Sequence, residues 1–242
     1  MTGIKGAVNQ ALGRWGYRIE RTCRGPVEQV YSDLFAGRRV PDVSRLLALA
    51  SGIPGMLSEE SARILFALCY AQEMKGDVVE VGSWQGYSTS FLARAVAETG
   101  NGRMYAIDHF RGNAGKEPVY AAGQADLGDL PGLFRDHMRK AGLAETVQLL
   151  AMPNEEAAAE LRRDGARIRF LFIDGDHSPE GVRRDIDLFF PMLLPGAIVV
   201  FDDCTSSAPG VIEAVDDLLE MGICETAFSY PNTVVAIARR GA

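Results

Sequence analysis

From residue 77 onward, apolar positions fall into two alternating periods. Asp77-Val-Val-Glu-Val81 is an apolar run with one interior charge, Glu80, and it breaks at Gly82. After a short turn to Gly86, Ser90-Phe-Leu-Ala-Arg-Ala-Val-Ala-Glu98 has the composition of a helix. The pattern predicts a buried strand, a glycine turn and a helix. Ahead of it, Ser58-Glu-Glu-Ser-Ala62 offers a capping serine and an acidic first turn, with Gly76 the expected end of that helix. Beyond it, strands are expected at Arg103–Asp108, Val147–Ala151, Ile168–Asp174 and Ala197–Asp203. Helices are expected around Leu130–Ala141, Glu155–Arg163, Pro179–Phe190 and Gly210–Met221. Two last runs, Ile223–Phe228 and Thr233–Ala238, are joined only by Ser-Tyr-Pro-Asn, a link that suits an antiparallel hairpin. Such alternation requires an α/β fold with a mostly parallel sheet, right-handed crossovers and helices on both faces.

Residues 1–56 read differently. Lys5 and seven arginines from Arg14 to Arg45 make this end basic, and short helical patterns are separated by Gly-Arg-Arg-Val-Pro41 and Gly52-Ile-Pro-Gly55. The expectation is an N-terminal helical cap or arm (1–56) followed by a sheet domain (57–242). Such a basic face can be solvated, meet an anionic surface or pack on a second subunit, which makes a homo-oligomer through the arm an open expectation. Arg111–Gly132 holds five glycines and two prolines in a stretch too long for an ordinary connection, and is expected to be a lid. Overall, 25 basic against 32 acidic residues give a net charge of −7, which argues against nucleic acid as the partner. The four cysteines show no paired metal spacing. Together with a start lacking an apolar signal core and apolar runs too short to span a bilayer, they point to a cytoplasmic protein.

The candidate chemistry collects at strand ends. Asp108 closes the second expected strand, where a carboxylate can accept both hydroxyls of a ribose; His109 or Phe110 can then flank an adenine. Asn154 follows the third strand and can either read an adenine edge or cap the helix before Glu155-Glu156. Ile173-Asp174-Gly-Asp-His-Ser-Pro-Glu180 ends a strand of apolar residues, and the next strand ends in Asp202-Asp203. Crossover partners of this kind are neighbours about 4.8 Å apart. Carboxylates brought together in this way repel unless they are protonated or share a cation, and hard oxygen ligands favour magnesium. Consecutive strand residues face opposite ways, so Asp202 and Asp203 can both bind only if the strand has already ended. The bland reading makes Asp176 and His177 loop residues around a cap at Ser178, with Pro179 opening the helix.

Glu80-x-Gly82-x-x-x-Gly86 resembles the first motif of the class I S-adenosylmethionine (SAM) methyltransferases, and the expected seven-stranded sheet with its terminal hairpin resembles their Rossmann-like fold. Asp174-Gly-Asp-His-Ser-x-Glu180-Gly-Val-x-x-Asp185, followed by Leu194-Pro-Gly-Ala197 and Asp202-Asp203, resembles the metal-dependent sugar O-methyltransferases of antibiotic and glycolipid biosynthesis. The likeness covers about Asp77 to Cys204. It departs at Ala197, where that family often has a second glycine. It implies SAM held by Glu80, Gly82, Ser83, Gly86, Tyr87, Ser88, Asp108, His109, Asn154 and Asp174. It implies Mg2+, or a similar divalent cation, on Asp174, Asp202 and Asp203, with Asp176 as general base and His177 the alternative.

The chemistry is consistent with these residues. An alkyl hydroxyl ionises too weakly to attack a sulfonium methyl unaided; a cation on the oxygen lowers that barrier, and a carboxylate or imidazole takes the proton. The expected acceptor is a hydroxyl of a sugar or glycosylated small molecule. Three alternatives stand beside it: a catechol-like phenol as acceptor, a metal-dependent phosphoester hydrolase, and a non-catalytic SAM-binding protein. Only three histidines argue against the hydrolase.

Overall fold

The computed structural model describes residues 47–48, 50–112, 128–230 and 232–239. Its elements run α1 (Glu59–Ala71), β1 (Asp77–Val81), α2 (Tyr87–Thr99), β2 (Met104–Ile107), α3 (Leu130–Lys140), β3 (Val147–Leu150) and α4 (Asn154–Arg163). They continue with β4 (Ile168–Ile173), α5 (Pro179–Phe189), a 3-10 turn (Phe190–Met192), β5 (Leu193–Phe201), α6 (Pro209–Glu220), β6 (Cys224–Tyr230) and β7 (Thr233–Ala238). The seven strands lie in the order β3-β2-β1-β4-β5-β7-β6. All the neighbouring pairs from β3 to β5 are parallel, and β7 is antiparallel to both β5 and β6. The expected hairpin is present, but its second strand is the one that adds to β5, leaving β6 at the edge.

β1 and β4 are buried along their whole length, which is why they are apolar on both faces rather than alternating. Period two still sorts their side chains. Val78, Phe170 and Phe172 pack with residues of α1, α2 and α3, whereas Val79, Val81, Leu171 and Ile173 pack with residues of α4, α5 and α6. Between β1 and β4 the order of connection reverses direction, and the strand carboxyl ends there open a crevice.

Several boundaries moved for physical reasons. α1 begins as expected, with Ser58 Oγ accepting the Ser61 N–H at 3.1 Å, but it ends at Ala71 rather than Gly76. Gln72 is extended, and its side-chain amide donates to the Arg169 carbonyl at 2.9 Å, tying the helix end to the sheet. β5 starts at Leu193, four residues early, because its pairing with β4 slips between Ile168–Leu193 and Phe170–Ile198. The bulge takes up Pro195, which has no N–H for a ladder, and Gly196 at φ +87°. Asn154 is the first residue of α4 and not its cap, a place held by Pro153. Of the expected lid, 113–127 lie outside the described residues, and Leu130–Gly132 form the first turn of α3. The arm also lies outside them up to residue 46; Leu47, Ala48 and Ala50 are helical.

Arg169, in the interior of β4, is completely buried. It donates to the carbonyls of Cys69 (2.9 Å), Gly76 (3.1 Å) and Asn101 (3.2 Å) and to Gln72 Oε1 (3.1 Å). One guanidinium thus satisfies the last turn of α1 and two loops at the end of the sheet opposite the crevice. Cys69, Cys204 and Cys224 form no disulfide. Among the described residues, no helix is long and apolar enough to cross a membrane.

Candidate active site

The crevice is a cleft of about 520 Å³ built from the carboxyl ends of five strands, β1 to β5, and the segment before α1. That volume falls within the roughly 300–1,000 Å³ of small-molecule sites. At the end of β1 the chain turns through Gly82 (φ +90°), Trp84 (φ +40°) and Gly86 (φ +92°). A Cβ on Gly82 would collide with the Asp174 carbonyl, so close approach of the β1 and β4 loops requires glycine there. Gly82, Ser83, Trp84, Tyr87 and Ser88 line the cleft. Ser83 Oγ and Trp84 Nε1 are buried polar atoms without hydrogen-bond partners, which suits a turn made to receive a polar ligand.

Glu80 and Gly86 do not line the cleft. Glu80 is wholly buried beneath it, and the hydroxyls of Ser88 and Thr89 donate to its two oxygens. It therefore pins the first turn of α2 to β1. Burial, which outweighs those hydrogen bonds, pushes its carboxyl up to about 8. Gly86 instead lets the turn press against Met138 and Phe134 of α3.

Asp108 lies in the cleft with both oxygens engaged. Oδ2 accepts the Trp84 N–H at 2.8 Å and Oδ1 the Phe110 N–H at 2.6 Å. It couples the β1 and β2 loops, and each oxygen keeps a lone pair for a ligand hydroxyl. His109 lines the cleft, its Nδ1 accepting the Arg111 N–H at 3.0 Å, whereas Phe110 packs edge-on to Phe134, 6.4 Å between centroids. Asn154 lines the cleft and donates to Asp185 Oδ1 at 2.7 Å. Asp185, only 2% exposed, has its other oxygen unpartnered, and burial pushes it up to about 7.

At the ends of β4 and β5 the acids meet. Asp174 and Asp202 extend the ladder, Asp174 N–H donating to Val81 O at 2.9 Å and Asp202 N–H to Ile173 O at 3.1 Å. β5 has ended at Phe201, and Asp203 stands at φ +50°, so the alternation of a strand no longer governs its direction. Asp203 Oδ2 lies 3.4 Å from His177 Nδ1, and Asp174 Oδ1 lies 3.7 Å from His177 Nε2. Ligand atoms of Asp174, His177 and Asp203 all fall within 4.8 Å of one another. Asp202 lines the cleft but stands outside that group, its Oδ1 accepting the Thr233 hydroxyl of β7 at 2.7 Å. Burial raises both Asp174, to about 7, and Asp202; the nearby Asp174 carboxylate raises His177. Crowded carboxylates beside a buried imidazole nitrogen with no hydrogen-bond partner fit a divalent cation. Asp176 is exposed at the cleft wall, Oδ1 accepting the Ser178 N–H at 2.9 Å.

The structure adds residues to which the sequence reading attached no role. Pro54, Gly55, Met56 and Leu57 form one wall, with Gly55 so close to Tyr87 that a Cβ would overlap its ring. The assigned arm thus reaches the cleft. Met56 is 66% exposed in that wall, and no pattern in the sequence marked it. Arg184 and Asp185 of α5 also line the cleft.

The model of a family described as a methyltransferase domain matches residues 79–204, just over half of the chain and every strand end described above. Solved structures share the fold. An O-methyltransferase from Bacillus cereus in complex with SAH superposes with a TM-score of 0.59 at 16% identity, over 88% of this chain and 97% of that one. The O-methyltransferase TomG from Streptomyces achromogenes, involved in tomaymycin synthesis and bound to SAM, gives 0.54 at 17% identity, over 99% and 100%. A TDP-rhamnose 3'-O-methyltransferase of calicheamicin biosynthesis gives 0.52 at 16% identity, over 100% and 97%.

Proposed function

The chain belongs to the methyltransferase-domain family and is a SAM-dependent methyltransferase; from that premise we propose that it methylates a hydroxyl oxygen of a sugar or glycosylated small molecule with the help of a divalent cation. The observation that carries the proposal is the meeting, in one cleft, of the Gly82–Ser88 turn with Asp174, Asp176, His177 and Asp203. The sugar class is supported by the Asp174–Asp185 motif and by the rhamnose enzyme among the structural neighbours.

SAM supplies an electrophilic methyl on sulfur and leaves as its thioether. The unpartnered Ser83 Oγ and Trp84 Nε1 would receive its polar end, Asp108 its ribose hydroxyls, and His109 with Asn154 its base. A divalent cation on the acids at the ends of β4 and β5 would make the acceptor hydroxyl more acidic. Asp176 is the base of this reading, with His177 the alternative. Asp176 is exposed and holds a single backbone N–H, so a carboxylate oxygen remains for the proton. Met56, Leu57, Trp84 and Tyr87 would screen the reacting atoms from water and orient them in line. The same reading takes residues 1–56 as a helical arm and possible subunit contact, and places the protein in the cytoplasm.

The test pairs calorimetry with turnover. The wild type should bind SAM and methylate a glycoside in a screen; Asp203→Ala should bind SAM within threefold yet turn over at least a hundredfold more slowly. Full activity in that variant would remove the cation from the mechanism. A folded wild type free of bound SAM or SAH that fails to bind SAM would remove the cofactor site.

A further inference from the structure

Asp185, in the interior of α5, has no part in the mechanism above, yet it is a buried acid at the edge of the cleft. Aspartate is seldom buried unless something pairs with it. Its Oδ1 accepts the Asn154 side-chain amide at 2.7 Å, joining the helices that follow β3 and β4. Its Oδ2 is shielded from solvent and has no hydrogen-bond partner. A Cβ on Gly175 would stand 3.3 Å from that oxygen, so the β4 loop closes over the acid. An asparagine amide offers a carbonyl on one side and an NH2 on the other, and a half-turn exchanges them. A carboxylate holds only acceptors, so it takes the NH2. That leaves the Asn154 carbonyl oxygen for the cleft, which Asn154 lines. An oxygen so presented accepts from an amine and repels a carbonyl.

We infer that Asp185 is a positioning residue that fixes the polarity of the Asn154 amide and so makes the cofactor site select a 6-amino purine over its 6-oxo counterpart. The inference deepens the proposed function and rests on its placement of the base against Asn154. With Asp185 behind it, Asn154 cannot turn to suit a carbonyl on the base without setting its own oxygen against a carboxylate. A 6-oxo base would therefore leave two acceptors face to face, the kind of unpaired polar contact that rejects an analogue of nearly identical shape. Asn154 alone, free to turn, would serve either base.

Calorimetry of the full chain with SAH and with S-inosylhomocysteine, its 6-oxo analogue, tests the assignment. It is run at pH 8, above the value of about 7 to which burial raises Asp185, so that the wild type carries the carboxylate. The wild type should bind SAH at least thirtyfold more tightly than the analogue. In Asp185→Asn the new amide can face Asn154 with either side, so the pair can turn together. That variant should bind the analogue at least fivefold more tightly than the wild type does, with SAH weakened less than threefold. The analogue also carries a hydrogen on N1, a difference common to both proteins that cancels from the comparison. Asp185→Ala removes a buried charge and frees the amide; it should show the same gain, and it decides if Asp185→Asn does not fold. Damage to the cleft wall would weaken both ligands and cannot tighten one. Analogue binding that is unchanged or weaker in either folded variant overturns the inference. Wild-type protein that binds SAH without preference overturns it too and leaves the cofactor reading standing; wild-type protein that binds neither compound overturns both.

Discussion

Glu80→Gln should change the pH dependence of stability more than stability itself. In the folded protein Glu80 is fully buried under the Ser88 and Thr89 hydroxyls, and burial holds its carboxyl at about 8 against an ordinary 4.5. Because the folded value is the raised one, its stabilising contribution is complete below pH 4.5 and is lost as pH rises toward 8, where the unfolded chain ionises freely and the folded chain resists. At about 1.4 kcal/mol per unit, that window corresponds to roughly 4–5 kcal/mol, an order-of-magnitude figure. Glutamine reproduces the protonated acid: its oxygen accepts one hydroxyl and its amide donates to the other. The variant should therefore lie within about 1 kcal/mol of wild type at pH 5, the difference of one neutral hydrogen bond. It should become the more stable protein by pH 8, since only the wild type carries the loss due to Glu80 over the interval. Urea unfolding at pH 5, 6.5 and 8 on both proteins measures the difference, and contributions from Asp174 and Asp185, present in both, largely cancel. A difference that stays flat across this range would refute the buried-acid reading of Glu80.

Gly82→Ala places a Cβ against the Asp174 carbonyl at a φ of +90°, so it should abolish measurable SAM binding while the circular dichroism spectrum stays close to wild type; unchanged affinity would show that the two loops do not need their close approach. Arg169→Met removes the donors that hold the carbonyls of Cys69, Gly76 and Asn101, and should lower unfolding free energy by about 3 kcal/mol in urea titration, with SAM affinity altered less than threefold in protein that remains folded.

The chain by itself determined the order of elements, because strands buried on both faces need apolar runs such as Val78–Val81 and Phe170–Ile173, and the helices between them carry their own stops and starts. It also marked the glycine turn at Gly82 and the acids at Asp108, Asp174 and Asp202-Asp203, since charged residues at the ends of apolar strands stand out locally. What the residues do to one another was decided by tertiary structure. Glu80 reads as a cleft residue from its motif, yet period-two alternation and the hydroxyls of α2 place it under the floor. Asp185 lies eleven residues from Asp174 in a helix, and only packing of α4 on α5 joins it to Asn154. Asp202 and Asp203 are adjacent in sequence, but Thr233, reached through the inserted strand β7, holds one, while a left-handed turn frees the other to approach His177. Local pattern is sufficient for secondary structure because its physics is local; the environment of a charge is built from segments remote in the chain, and no spacing encodes it.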